Sequence, residues 1–413
     1  MTEVFEKLHA AIAKQSEKQV VFLQTLVQAP TDNPPGHTAA HAEVAAANLA
    51  ALGFEVERHS VPESMARECG MVSATNLIVR RTFGAEGSGP TIALNAHGDV
   101  VPPGEGWTVD PYGAALRDGD LYGRGAAVSK SDFATYAFAL LALEEVGGSL
   151  SGSVELHLTY DEEVGGEIGP KWLLAQGLTK PNLAICAGFS YGIVNAHNGC
   201  LHLETTVRGK IAHAAQPDRG HDALEATHAI LGALYQHRKG LAARASATEG
   251  IDSPTLVIGL IKGGVNTNVV PDTVSFRLDR RMIPEEEPTV VEAELRTLIS
   301  DSASAFEGIS CEVKCLLLAQ TLVPLSGYEK LAGEIARHGE RVFGEPISTH
   351  GVPLYTDARH YAEAGIPTVL YGCGPRSIEE AGAHGADEHV RIDDLSRATE
   401  VVACTLYSLL DGA

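Results

Sequence analysis

The alternation of strand and helix breaks near Gly199 and resumes after about residue 318, and this interruption constrains the fold more than any other feature of the 413-residue chain. Before it, apolar runs at 54–59, 75–80, 91–96 and 153–159 have the length and β-branched content of strands. An N-terminal helix that should stop at Pro30 and helices at 37–52 and 128–146 complete this part. Such alternation predicts an α/β layer around a largely parallel central sheet, with ligands gathering at the carboxyl ends of the strands. From residue 201 the order changes: strand 201–207, helix 222–238, strands 255–261 and 274–281, helix 285–305, strand 309–317. That is βαββαβ, the ferredoxin-like unit, which is self-contained and can be inserted into another domain. Helices at 328–343, 357–364 and 393–410 and a strand at 368–371 then restore the first pattern. The expected architecture is a catalytic domain of residues 1–198 and 319–413, split around a lid domain of residues 199–318. Two domains also suit a length beyond what one hydrophobic core usually serves.

Charge narrows the partners. A formal net charge of -22 and a pI near 5.1 exclude nucleic acid and anionic membrane as partners, since both would be repelled. An anionic substrate must therefore meet a local basic residue. The longest apolar run, near 136–143, is too short to span a bilayer, and residues 1–28 alternate charged and apolar residues without the continuous apolar core of a signal peptide. The seven cysteines are odd in number and contain no Cys-x-x-Cys pair, which points away from a disulfide framework or a thiolate zinc site and toward the cytoplasm. Cys311 and Cys315 fall on one face of a strand, where packing explains them.

Chemistry-bearing residues cluster at three predicted strand ends. The strand at 91–96 runs directly into His97-Gly98-Asp99, and a period of two puts His97 and Asp99 on the same side. There the carboxylate can hold the far imidazole nitrogen and leave the near one for a metal. The strand at 153–159 runs into Asp161-Glu162-Glu163, and neighbouring glutamates do not share a direction: one can bind a metal while the other faces water as a general base. His384 follows a strand and a Gly-rich loop. Three strand ends that each offer a His or a Glu form a metal-site constellation.

These motifs carry a family resemblance. His97-Gly98-Asp99, Gly123-Arg124-Gly125-Ala126, Asp161-Glu162-Glu163, Thr356-Asp357-Ala358-Arg359 and the Ala383-His384 to Glu388 segment resemble those of the acetylornithine deacetylase and succinyl-diaminopimelate desuccinylase family of metallohydrolases, which includes aminoacylases and glutamate carboxypeptidases. The resemblance implies His97, Glu163 and His384 as metal ligands, Glu162 as general base and Asp99 as the carboxylate orienting His97. It also implies that His213 approaches the substrate oxyanion, often across a dimer formed through the lid, and that Asn268 and Arg281 hold a substrate carboxylate. Arg281 matches the family arginine better than Arg280.

Two departures from the family pattern stand out. Members with two metals usually read Gly-Arg-Gly-Ala-x-Asp-Met-Lys-Gly, the Asp bridging both ions, whereas this chain places Val128 there. An acid expected near the end of the 183–187 strand is replaced by Gly188. Asp132 lies one helical turn after Val128 and reaches the site only if that helix is placed differently. The expectation is thus a hydrolase with one divalent transition metal per chain (zinc, manganese or cobalt) that cleaves the amide bond of a small carboxylate substrate such as an N-acyl amino acid. The alternatives are an aminohydrolase releasing ammonia from an activated aromatic amine such as a nitroanthranilate, and a non-catalytic binding protein.

Overall fold

The computed structural model describes residues 2–377 and 379–411. They form two compact units, one comprising Met1–Asn195, Pro324–His350 and Thr356–Ala413, the other Ala196–Val323 with Gly351–Tyr355.

The first unit is built on an eight-stranded mixed sheet. At its centre, Thr91–His97 pairs in parallel with Gly152–Thr159 on one side and Leu183–Cys186 on the other, and Thr368–Leu370 continues the parallel set. On the flank, Val56–Ser60 and Thr75–Phe83 pair antiparallel, the latter also against Gly152–Thr159. The two central strands are buried along nearly their whole length, which is why they read as continuous apolar runs rather than as alternation. Helix Lys130–Val146 packs on these strands with one side and beneath helices Thr2–Val27 and Ile392–Leu410 with the other. Buried all round, it needs small residues for close approach, and Ala134, Ala137, Ala139 and Ala142 supply them.

The Pro- and Gly-rich segment after His97 forms the strands Ala115–Arg117 and Asp120–Tyr122, which His389–Arg391 joins in a three-stranded sheet. The first two join through Asp118-Gly119, both at positive φ (51° and 92°), the two-residue hairpin turn that an Asp-Gly pair favours. Strands of three residues leave too short a pattern to recognise, although the turn signal was present.

The second unit is an antiparallel sheet in the order Thr255–Gly263, Thr273–Met282, Gly199–Arg208, Ser310–Ala319. Helices Ala223–Leu241 and Pro288–Ser304 cover one face through Leu201, Leu203, Val207, Leu234, Phe276, Leu278, Leu295 and Ile299. Asp222 caps the first helix by accepting from Leu224 N and Glu225 N. The fold class read from the sequence, an α/β sheet domain with a separate ferredoxin-like antiparallel unit, is the one observed. Among the described residues no helix is long and apolar enough to cross a membrane.

Candidate metal centre

The site grows from the end of strand Thr91–His97. Gly98 has no room for a side chain, because a Cβ would lie 2.6 Å from the Tyr160 ring, so the chain crosses this crowded point only as glycine. The His97 backbone is tied to Ser129 in both directions, Ser129 Oγ receiving from His97 N and donating to His97 O, each at 3.0 Å. The imidazole Nδ1 lies 3.0 Å from the Asp99 carbonyl oxygen and 3.4 Å from Asp99 Oδ1, while Nε2 faces Glu162 Oε2 at 3.9 Å. Backbone and side chain of Asp99 therefore both help to direct the ring.

The buried Asp99 carboxylate also accepts from Asn33 Nδ2 at 3.0 Å, Glu162 N at 3.3 Å and Glu163 N at 3.2 Å. Those two amides open the single turn Glu162–Val164, so one carboxylate fastens the glutamate turn to the histidine strand. As a result, ligand atoms of His97, Glu162 and Glu163 lie within 4.8 Å of one another. His384 reaches the cluster at its edge: its Nε2 is 3.5 Å from Glu163 Oε1, and its side chain remains 58% exposed on a residue at φ 61°.

Electrostatics follow from this crowding. Burial alone would push the His97 imidazole down, but the Glu162, Asp99 and Glu163 carboxylates hold it well above its ordinary value. Burial raises Glu162, opposed by His97 and reinforced by Glu163 and Asp99. Burial and the Glu162 charge raise Asp357, whose Oδ1 is buried without a hydrogen-bond partner. Hydrogen bonding to Glu163 raises His384. Carboxylates outnumber the compensating cations, and the donor set is imidazole plus carboxylate. A divalent transition ion fits both the charge and the donors.

The other flank has its donors already committed. Val128 and Ala127 donate their amides to Glu388 Oε1 at 3.1 and 3.0 Å. Glu388 Oε2 is bound by the buried Arg124 Nη1 at 2.6 Å, and Arg124 Nη2 donates to Pro103 O and Gly385 O, so this pair fixes the loop that carries His384. The sequence showed Arg124 and Glu388 only as motif letters, with nothing to mark their burial. Asp132 Oδ1 accepts from Cys373 N at 2.7 Å, and burial raises its carboxyl to about 7. At Gly188 a Cβ would meet Tyr371 N at 2.7 Å and Leu370 C at 2.8 Å, so the backbone here admits no acid.

In the second unit, His213 and Asn268 come together on a small ribbon, where Ala212–His213 pairs with Val269–Val270 and Ala214 N donates to Asn268 O at 3.0 Å. Both side chains are exposed. Arg281 stands on the main sheet, its Nε donating to Asp279 Oδ1 at 3.0 Å and its guanidinium 5.6 Å from the Tyr355 ring centroid. Arg280, in contrast, is buried and paired with Glu286.

The model of peptidase family M20/M25/M40 matches residues 93–408, beginning just before His97 and ending in the last helix. The chain belongs to this family. It is 30% identical over 374 residues to an acetylornithine deacetylase of Myxococcus xanthus, covering 90% of this chain and 92% of that one. It is 29% identical over 412 residues to a succinyl-diaminopimelate desuccinylase of Gluconacetobacter diazotrophicus, covering 97% and 99%. Among solved structures, human carnosine dipeptidase 1 superposes with a TM-score of 0.76 at 18% identity over 98% of this chain and 99% of that one, a likeness of fold. This M20/M25/M40 member is accordingly a metallohydrolase acting on carbon–nitrogen bonds, from a family whose enzymes bind divalent metal ions.

Proposed function

We propose that the chain hydrolyses the amide bond of a small carboxylate substrate, such as an N-acyl amino acid, using one divalent transition ion held by His97, Glu163 and His384. The observation that carries the reading is the Asp99-anchored turn, which sets Glu162 and Glu163 side by side against His97. Such an ion supplies a Lewis acid and lowers the pKa of the water it holds. Glu162 would accept the proton of the attacking water and return it to the leaving nitrogen, for which a raised pKa suits it. Asp99 and the Asp99 carbonyl hold His97 in one tautomer. Arg281 and Asn268 would receive the substrate carboxylate, and His213 the developing oxyanion.

A homodimer through the second unit belongs to the same reading. Its support is the edge strand Thr255–Gly263, where Val257, Leu260 and Ile261 are 50–60% exposed, an open edge of the kind that pairs with another chain. A reducing, cytoplasmic setting suits cysteines that form no disulfide among the described residues.

Deamination of an activated aromatic amine has one observation in its favour. Val128 and Gly188 offer no ligands for a second ion, and a single ion gives less electrophilic help to an unactivated amide. Incubating the metal-loaded protein with a panel of N-acyl amino acids and with nitro-substituted anthranilates separates the two. Carboxylate release from an acyl amino acid is expected; ammonia from the anthranilate with no acyl cleavage would replace the first reading by the second.

A further inference from the structure

The second unit holds another convergence of donors, far from His97 in chemistry as well as in chain position. Cys200 and His202 are two apart on strand Gly199–Arg208, so both project from the sheet face opposite the helices. In the antiparallel register His202 lies directly across from Asp279, and Cys200 across from Arg281. The three donor atoms almost touch. Cys200 Sγ is 3.3 Å from His202 Nε2 and 3.7 Å from Asp279 Oδ2, and His202 Nε2 is 2.8 Å from that same oxygen.

The thiol and the imidazole both turn to Asp279 Oδ2, which can accept from each, so the three donors are gathered around protons that a cation can replace. Bonds of about 2.3 Å to sulfur and about 2.1 Å to nitrogen and oxygen, at tetrahedral angles, require donor separations of roughly 3.4–3.6 Å. Two of the three separations are already within a few tenths of an ångström of that range, and the His202–Asp279 edge needs to open by roughly 0.6 Å. The supporting contacts are in place too. Arg281 Nε occupies the other Asp279 oxygen, Oδ1, which orients the carboxylate and leaves Oδ2 for the ion. Cys200 is buried, while the His202 and Asp279 side chains are 37% and 29% exposed, giving an entry side and room for water as fourth ligand.

We propose that Cys200, His202 and Asp279 form an accessory binding site for a thiophilic divalent ion, zinc or cobalt, distinct from the ion at His97. A thiolate in the donor set selects against magnesium and manganese. Binding deprotonates the Cys200 thiol, one proton leaving to solvent per ion taken up, and requires His202 as the tautomer with its proton on Nδ1. Thiolate and carboxylate together neutralise the dication, and the ion cross-links two neighbouring strands of the sheet. The Cys-x-His spacing is legible in the sequence, but its third donor lies 77 residues away and is supplied only by the strand register.

The test is a cobalt(II) titration of the metal-free full-length protein. The expected result is a thiolate-to-cobalt charge-transfer absorption in the near ultraviolet that saturates by about two equivalents in all, one for each site. It should be lost, with about one equivalent of bound cobalt, in Cys200→Ser and in His202→Asn, and retained in Glu163→Gln, which disables the His97 site. No charge-transfer band in the wild-type protein overturns the proposal. So does a band that survives in Cys200→Ser, which would place the thiolate at another cysteine, or one that disappears in Glu163→Gln. If both unit-two variants fail to fold, a variant with serine at Cys69, Cys311 and Cys315, the free cysteines that are not fully buried, should keep the band, and its loss there overturns the proposal.

Discussion

On one flank of His97 the sheet delivers Asp99, Glu162 and Glu163 in a turn held by main-chain amides, and on the other it delivers Val128, Asp132 and Gly188. Both flanks stand at or beside the carboxyl ends of the same parallel strands. They differ in what their polar atoms already do. The first sets three carboxylates around one imidazole: they hold His97 well above its ordinary value, while burial first, and Glu163 and Asp99 after it, raise Glu162. On the second, the Val128 and Ala127 amides are taken by Glu388, one Asp132 oxygen accepts from Cys373 N, and Leu370 and Tyr371 crowd Gly188. A strand-end layer thus provides positions, and a metal-binding flank needs in addition that those positions be left electrostatically unpaid.

The largest expected effect tests the rich flank. Glu162→Gln should retain the ion and lose roughly 10²–10⁴-fold in turnover, the usual contribution of a positioned acid–base group. Glu163→Gln should weaken metal affinity by roughly 10–100-fold or more as well. Equal metal content and equal residual rates in the two variants would show that the glutamates do not divide the work in this way.

The poor flank is tested by asking it to become rich. Gly188→Asp should destabilise the fold by about 1–3 kcal/mol from overcrowding, more if the carboxylate stays charged, and should bind no extra ion. A variant that melts like the wild type and takes up an additional equivalent of zinc would erase the difference between the flanks.

Asp99→Asn is a finer probe. Asparagine keeps an oxygen for one of the two turn amides but carries no charge, so the Glu162–Glu163 turn should loosen by about 1–3 kcal/mol and metal affinity should fall with it. Calorimetry with metal titration reads both. Unchanged affinity with lowered stability would mean that Asp99 braces the fold alone.

The last probe concerns Asp132 and pH. Its carboxyl is raised from 3.8 to about 7 in the fold, so between these values the native state holds a proton that the unfolded chain has released. Its contribution to stability is therefore full below about pH 4 and is lost as pH rises through 7. Asp132→Asn, which resembles the protonated form, should stay within ~1 kcal/mol of the wild type at pH 5 and gain on it by pH 8. Denaturant melts of the metal-free proteins at the two pH values measure this; parallel pH profiles would show that Asp132 is ionised in both states.

Sequence alone determined the large elements of this protein and their order. Long periodic runs such as helix Tyr328–Phe343 and the βαββαβ series depend on local spacing, which tertiary contacts did not override. It also put His97 at a strand end and Glu162 and Glu163 just past another, because the rule that relates function to the carboxyl ends of parallel strands needs only the strands, whereas His384 lies in the loop between Thr368–Leu370 and His389–Arg391. Short elements escaped it. The hairpin at Asp118-Gly119 has three-residue strands, and their stability comes from pairing with His389–Arg391, far along the chain. What the site residues do to one another was decided only in three dimensions. That Asp99 grips the glutamate amides, that Arg124 and Glu388 hold the His384 loop, that Asp132 turns to Cys373, and that His202 meets Asp279 all depend on hydrogen bonds and strand register between segments remote in sequence. Periodicity carries no information about such partners, because it fixes the direction of a side chain within its own element and not what the rest of the fold places in front of it.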